Sequence, residues 1–195
     1  MMTLMMLLMF FAQAGPPSPQ APMMQNRAPV PAQPAPMTYP ESASVDRTFA
    51  LAAMQGNNAE MDMAQLALKR GTANEVKGYA GKMIAEHSGL MKEMEPVLRT
   101  VLGASAPLER LAAPNMLAMR HLESVGPVDF DQAYVMQQIG DHLATLTAFH
   151  TVAENGTNPQ LKALARKWTP TIQAHLELAV DLTQHIGGSS PFKGQ

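Results

Sequence analysis

Four residues stand where chemistry is possible: Glu60, His87, His142 and His175. Each falls on the apolar stripe of a different segment of helical periodicity, where a titratable group is out of place. Glu60 precedes Met63, Ala64, Ala67 and Leu68 on one such stripe. His87 completes a series that includes Val76, Tyr79, Met83, Leu90, Met94 and Leu98. His142 stands three after Ile139 and four before Leu146, on a face shared with Val135, Phe149 and Ala153. His175 shares its face with Leu161, Ala165, Trp168, Ile172, Leu176 and Ala179. Left without partners, a buried carboxylate and three buried imidazoles would cost several kcal/mol. Three imidazoles and a carboxylate suit one transition metal ion: zinc, copper or iron. The competing expectation is a hydrogen-bonded His–Glu network with water that fixes helix register.

Other chemistries lack their residues. There is no cysteine, so disulfides, thiolate metal sites and a Cys nucleophile are excluded. No Gly-x-Ser-x-Gly, phosphate-cradling glycine loop or His-Glu-x-x-His occurs. A di-iron carboxylate centre needs Glu-x-x-His on two helices, and the residues three before His87 and His175 are Ile84 and Ile172. Ferroxidase and oxygenase chemistry are therefore disfavoured, and the chain is expected not to be an enzyme; the weaker alternative, a metal-dependent oxidoreductase, would require an open coordination position and a substrate channel. Met83, Met91 and Met94 share the His87 face among 17 methionines. Thioethers there could assist Cu(I), but a methionine stripe at helical spacing is ordinarily core. His121 and His150 read as surface histidines.

Four long helices must position the four residues. The first is expected to open at Asp46 as N-cap, to kink or split at Gly56-Asn57-Asn58, and to end at Gly71. Thr72 and Glu75 predict a capping box for the second, with Pro96 bending or breaking it near its end. Residues 104–126 are irregular, with a short helix between Pro114 and Gly126. Pro127-Val128-Asp129 opens the third long helix, with Asp129 and Gln132 at capping-box spacing. Asn158 as N-cap and Pro159 at N1 open the fourth, kinked at Pro170 and stopped by Gly187 and Gly188. The expected architecture is all-α: an up-down-up-down four-helix bundle with an irregular or short-helical crossover between its second and third helices. Counted from the two tight turns at about 1.5 Å per residue, the four residues agree in height within about two helical turns.

Composition bounds the setting. Lys plus Arg number 14 against 16 Asp plus Glu, with no basic block, which argues against nucleic acid or an anionic membrane surface as partner. Proteins remain the partners to expect. Leu4–Ala12 is an apolar run too short to span a bilayer, and Ala12-Gln13-Ala14 supplies a small-x-small cleavage pattern. Residues 1–14 are thus expected to be a secretory signal, although no Lys or Arg precedes the run, and the protein is expected to be periplasmic or secreted. Dense proline in residues 15–44 predicts an extended linker. Residues 45–188 form the expected helical domain and 189–195 a frayed tail.

Several pieces together resemble one family. They are an aromatic soon after Asp46, the segment VKGYAGKMIAEH, FDQAYV followed by GDH, and the closing TPTIQAHLELA. The Phe130-Asp131-x-x-Tyr134…His142 and Pro170…His175 elements are the most specific. They are similar to the exported bacterial domain-of-unknown-function family 4142. The resemblance covers roughly residues 46–186 and implies a ferritin-like helical bundle and export. It implies no activity, so the metal site rests on the residues alone.

Overall fold

The computed structural model describes residues 41–104, 106 and 112–186, which form five helices and, among the described residues, no strand. They are α1 (Glu41–Arg70), α2 (Asn74–Leu102), α3 (Ala113–Ser124), α4 (Phe130–Asn155) and α5 (Pro159–Leu182). The chain is all-α. The expected signal segment, the expected linker as far as residue 40, the glycine pair at 187 and 188 and residues 189–195 lie outside the described residues. Among the described residues, no helix is long and apolar enough to cross a membrane.

α1 packs on α2 and α4, and α5 packs on α4 and α2, so each long helix has two long neighbours; α3 lies against α1 and α4. Only Gly71, Thr72 and Ala73 join α1 to α2, and only Gly156, Thr157 and Asn158 join α4 to α5. Connections that short return the chain antiparallel to itself. The molecule is thus two helical hairpins joined through α3.

The helix ends are closed across the hairpins. Asp46 was expected to cap the helix it begins, but α1 starts at Glu41 and Asp46 lies within it. Its buried carboxylate accepts from Thr157 N–H at 3.1 Å, Asn158 N–H at 2.8 Å and Thr157 Oγ1 at 2.6 Å. Asp131 on α4 does the same for the other turn, accepting from Thr72 N–H at 3.0 Å, Ala73 N–H at 2.8 Å and Thr72 Oγ1 at 2.5 Å. The Thr72–Glu75 capping box therefore does not form: Thr72 is taken by Asp131, and α2 has no side-chain cap of its own. Neither does the Asp129–Gln132 box, because Asp129 already has near-helical dihedrals (φ −101°, ψ −5°) and its side chain caps nothing. Asn158 behaves as its type predicts, accepting from Gln160 N–H and Leu161 N–H.

Both turns need their glycine for close approach. A Cβ on Gly71 would lie 2.7 Å from the Ala67 carbonyl oxygen and 3.2 Å from Asp131 Oδ1. On Gly156 it would meet Val152 O at 2.7 Å and Asp46 Oδ1 at 2.8 Å. α3 is held by Arg70, whose guanidinium donates to the carbonyls of Leu122 (2.8 Å), Glu123 (2.7 Å) and Val125 and lies over the Phe130 ring. These are the carbonyls that a helix C-terminus leaves free.

The apolar interior falls into two clusters. One is built on Phe49, Met54, Leu98, Phe149, Leu161 and Ile172, the other on Met63, Val76, Met83, Phe130, Tyr134 and Val135. Between them along the helices come buried polar residues: Asn57 and Glu60 on α1, His87 on α2, Gln138 and His142 on α4, His175 on α5. α1 runs unbroken through Gly56, Asn57 and Asn58, contrary to its local propensities, because Asn57 is buried in this layer and bonded to His87. α2 likewise continues through Pro96 to Leu102, and α5 runs through Pro170. α5 stops at Leu182 rather than at the glycine pair, and its last turn tightens, with Thr183 N–H bonding Val180 O.

Candidate functional site

In the polar layer the three histidines meet. Ring centroids lie 5.9 Å apart for His87 and His142, 5.3 Å for His87 and His175, and 5.3 Å for His142 and His175. One nitrogen from each ring lies within 4.8 Å of the other two. All three side chains are buried, at 5%, 2% and 2% exposure. Helical periodicity put them on the inner faces, and the stacking of the two hairpins brings them to one height.

Hydrogen bonds fix which nitrogen of each ring faces the centre. His87 Nδ1 donates to Asn57 Oδ1 at 3.0 Å, His142 Nδ1 to the Gln138 carbonyl at 2.9 Å, and His175 Nε2 to Glu86 Oε2 at 2.5 Å. Each acceptor can only receive, so each ring's proton is committed outward. The remaining nitrogens carry lone pairs. His142 Nε2 and His175 Nδ1 face one another at 3.3 Å with a lone pair on each, and buried His87 Nε2 has no hydrogen-bond partner. Two lone pairs at that distance repel unless a proton or a cation lies between them.

The proton is disfavoured. Burial, and then the neighbouring His142 and His175, push His87 down to about 3. Burial pushes His142 down to about 4 against its bond to the Gln138 carbonyl. Burial also lowers His175, opposed by the Glu86 carboxylate. His87 and His142 are thus neutral near pH 7, the form that binds metal. Outward donation to a carboxylate, an amide and a backbone carbonyl is the support that metal-ligating histidines ordinarily receive. The donor set therefore fits a transition metal ion.

Glu60, expected as a fourth ligand, is not in this group of three. Its carboxylate accepts from Gln138 Nε2 at 2.6 Å. Burial, with Asp141 nearby, raises it to about 8, so it is largely protonated at neutral pH. It borders a cavity of about 30 Å³ that His87, His142 and Asn57 also line. The methionines form no common site: Met83 and Met94 are in opposite core clusters, and Met91 is only partly buried. His121 and His150 are exposed, as expected.

A family model described as "Domain of unknown function (DUF4142)" matches residues 31–182. The chain belongs to that family. No curated protein and no solved structure matches it. The match takes in all five helices of this DUF4142 chain, and with them every residue of the polar layer.

Three residues of the site escaped the sequence reading. Glu86 looks like half of a surface pair with Lys82, at i,i+4 spacing, and it does bond Lys82; it also reaches His175. Burial alone would raise its carboxyl, but the Lys82 and His175 contacts together hold it below the usual carboxylate range. Asn57 reads as a helix breaker and Gln138 as an ordinary helical polar residue. The one signal available was position: Asn57 precedes Glu60 by three and Gln138 precedes His142 by four, each one turn along the same face.

Proposed function

We propose that this chain is an exported, non-enzymatic metal-binding protein that holds one zinc, copper or iron ion between His87, His142 and His175. Its scaffold on this reading is a ferritin-like, up-down-up-down four-helix bundle of α1, α2, α4 and α5, with α3 as the crossover. The observation that carries the proposal is the convergence of three buried imidazoles, one nitrogen of each within 4.8 Å of the others and each ring oriented by an acceptor on its other nitrogen. A cation resolves the lone-pair repulsion between His142 and His175; a hydrogen-bonded network does so only with a proton on His175, which then donates from Nδ1 to His142 Nε2. Three neutral imidazoles favour borderline ions over calcium or magnesium, which prefer oxygen.

Export rests on the apolar run before Ala12-Gln13-Ala14, and its partners in that setting would be proteins. The rival reading is an envelope structural or stress-related interaction module. It is favoured by the Gln138–Glu60 bond, which needs no metal. Elemental analysis of protein purified without chelator, beside His142→Ala, separates the two. Metal binding predicts one ion per chain, a rise in unfolding temperature on loading, and loss of both in the variant. No bound ion, and no thermal shift with zinc, copper or iron, would leave the network.

A further inference from the structure

Three imidazoles do not complete a tetrahedral or larger coordination sphere. Glu86 is committed to Lys82 and His175, Glu60 holds Gln138 through Oε2, and among the described residues only the three histidines cluster, so no fourth carboxylate stands in place to close it. Against His87 and His142 lies the cavity of about 30 Å³. Asn57 lines it too; Asn57 is 4% exposed, and its Nδ2 has no hydrogen-bond partner. A space of this size holds a guest of a few atoms, and the amide N–H groups can donate to it.

The cavity is continuous in its lining with a larger one. A groove of about 470 Å³ between α1, α4 and the start of α3 shares Ala52, Ala53, Gly56, Glu60, Thr145 and Phe149 with it. Small side chains dominate that boundary. At Gly56 an added Cβ would meet nothing within 4 Å.

We propose that the metal centre keeps one coordination position open toward the Asn57-lined cavity, and that a small inorganic anion entering by the α1–α4 groove binds the metal there. Asn57 Nδ2 donates to the bound anion, and Gly56 lies on the entry path. The proposal rests on the metal reading above.

The test loads the full chain with one equivalent of copper(II) and titrates it with sodium azide, following azide-to-copper charge-transfer absorption. Expected is a saturable 1:1 band. Gly56→Leu projects a side chain into the passage at a position where a β-carbon meets no neighbour, so helix content by circular dichroism and copper content are retained. Azide association, followed by stopped-flow mixing, then slows at least tenfold. Copper retained by the parent chain with no azide band would overturn the open position and leave the metal site standing. An unchanged azide association rate in copper-loaded Gly56→Leu would overturn the groove as the route. Failure of the parent chain to retain copper, zinc or iron would instead remove the metal reading itself.

Discussion

The hairpins α1–α2 and α4–α5 are alike at their ends and unlike in their middles. Asp46 and Asp131, Gly71 and Gly156, Thr72 and Thr157 occupy matching places at one constant sequence spacing, and each aspartate closes the other hairpin's turn. At the same spacing His142 is matched by Asn57, His175 by Leu90, His87 by Ile172 and Glu60 by Thr145. The first hairpin contributes one imidazole and the second two. The ends answer to the backbone, whose free amides pose the same demand in both turns. The middles differ because the three imidazoles converge at a centre that has no two-fold symmetry.

The largest effects should come from the shared ends. Asp131→Ala and Asp46→Ala each strand two backbone N–H groups and a hydroxyl in a partly buried turn, and each should cost about 2–3 kcal/mol in urea unfolding. Similar losses in the two variants sustain the likeness; a neutral result in one would break it.

Next come the unlike middles, read through pH. Glu60's folded-state value, about 8, lies above its ordinary 4.5. Its contribution to stability is fully present below about pH 4.5 and is lost as pH rises through about 8. Glu60→Gln should remove that alkaline decline and leave the variant more stable than the parent at pH 9, by a few kcal/mol. Thr145, its counterpart, gives no such dependence. The histidines act in the opposite sense. His87 and His142 are depressed from 6.5, so their contribution is present above pH 6.5 and is lost as pH falls toward about 4 and then about 3. Acid unfolding of the metal-free chain should become shallower in His142→Gln, which has no such proton to take up. An unchanged acid limb would deny that His142 is buried neutral.

The smallest effect tests the helices themselves. Gly81 on α2 and Gly140 on α4 have open space where a Cβ would stand, so alanine at either should stabilise the chain by about 0.5–1 kcal/mol in thermal unfolding. Gly71→Ala and Gly156→Ala should do the reverse, since each Cβ would press on a carbonyl oxygen.

The three histidines were legible because a polar residue on an apolar face violates a local period, and local periods survive in sequence. The caps were not. Asp46 looks like an N-cap by every neighbourhood rule, yet its donors lie 111 residues away; Asp131 and Thr72 are 59 apart. Thr72–Glu75 and Asp129–Gln132 have the right spacing for boxes that tertiary partners pre-empt. Glu60 failed differently. Its face was right, but a side chain on the right face still chooses among neighbours, and Gln138 on α4 claims its carboxylate.

Arg70 and the crossed aspartates together make each hairpin the other's missing part. A hairpin expressed alone would leave its turn amides open and its half of the polar layer unmatched. Two such fragments, cut between α2 and α3 and mixed, should find one another and reassemble as a heterodimer. In the intact chain the covalent link raises the local concentration of each half for the other. The protein is in effect an obligate pair carried on a single thread.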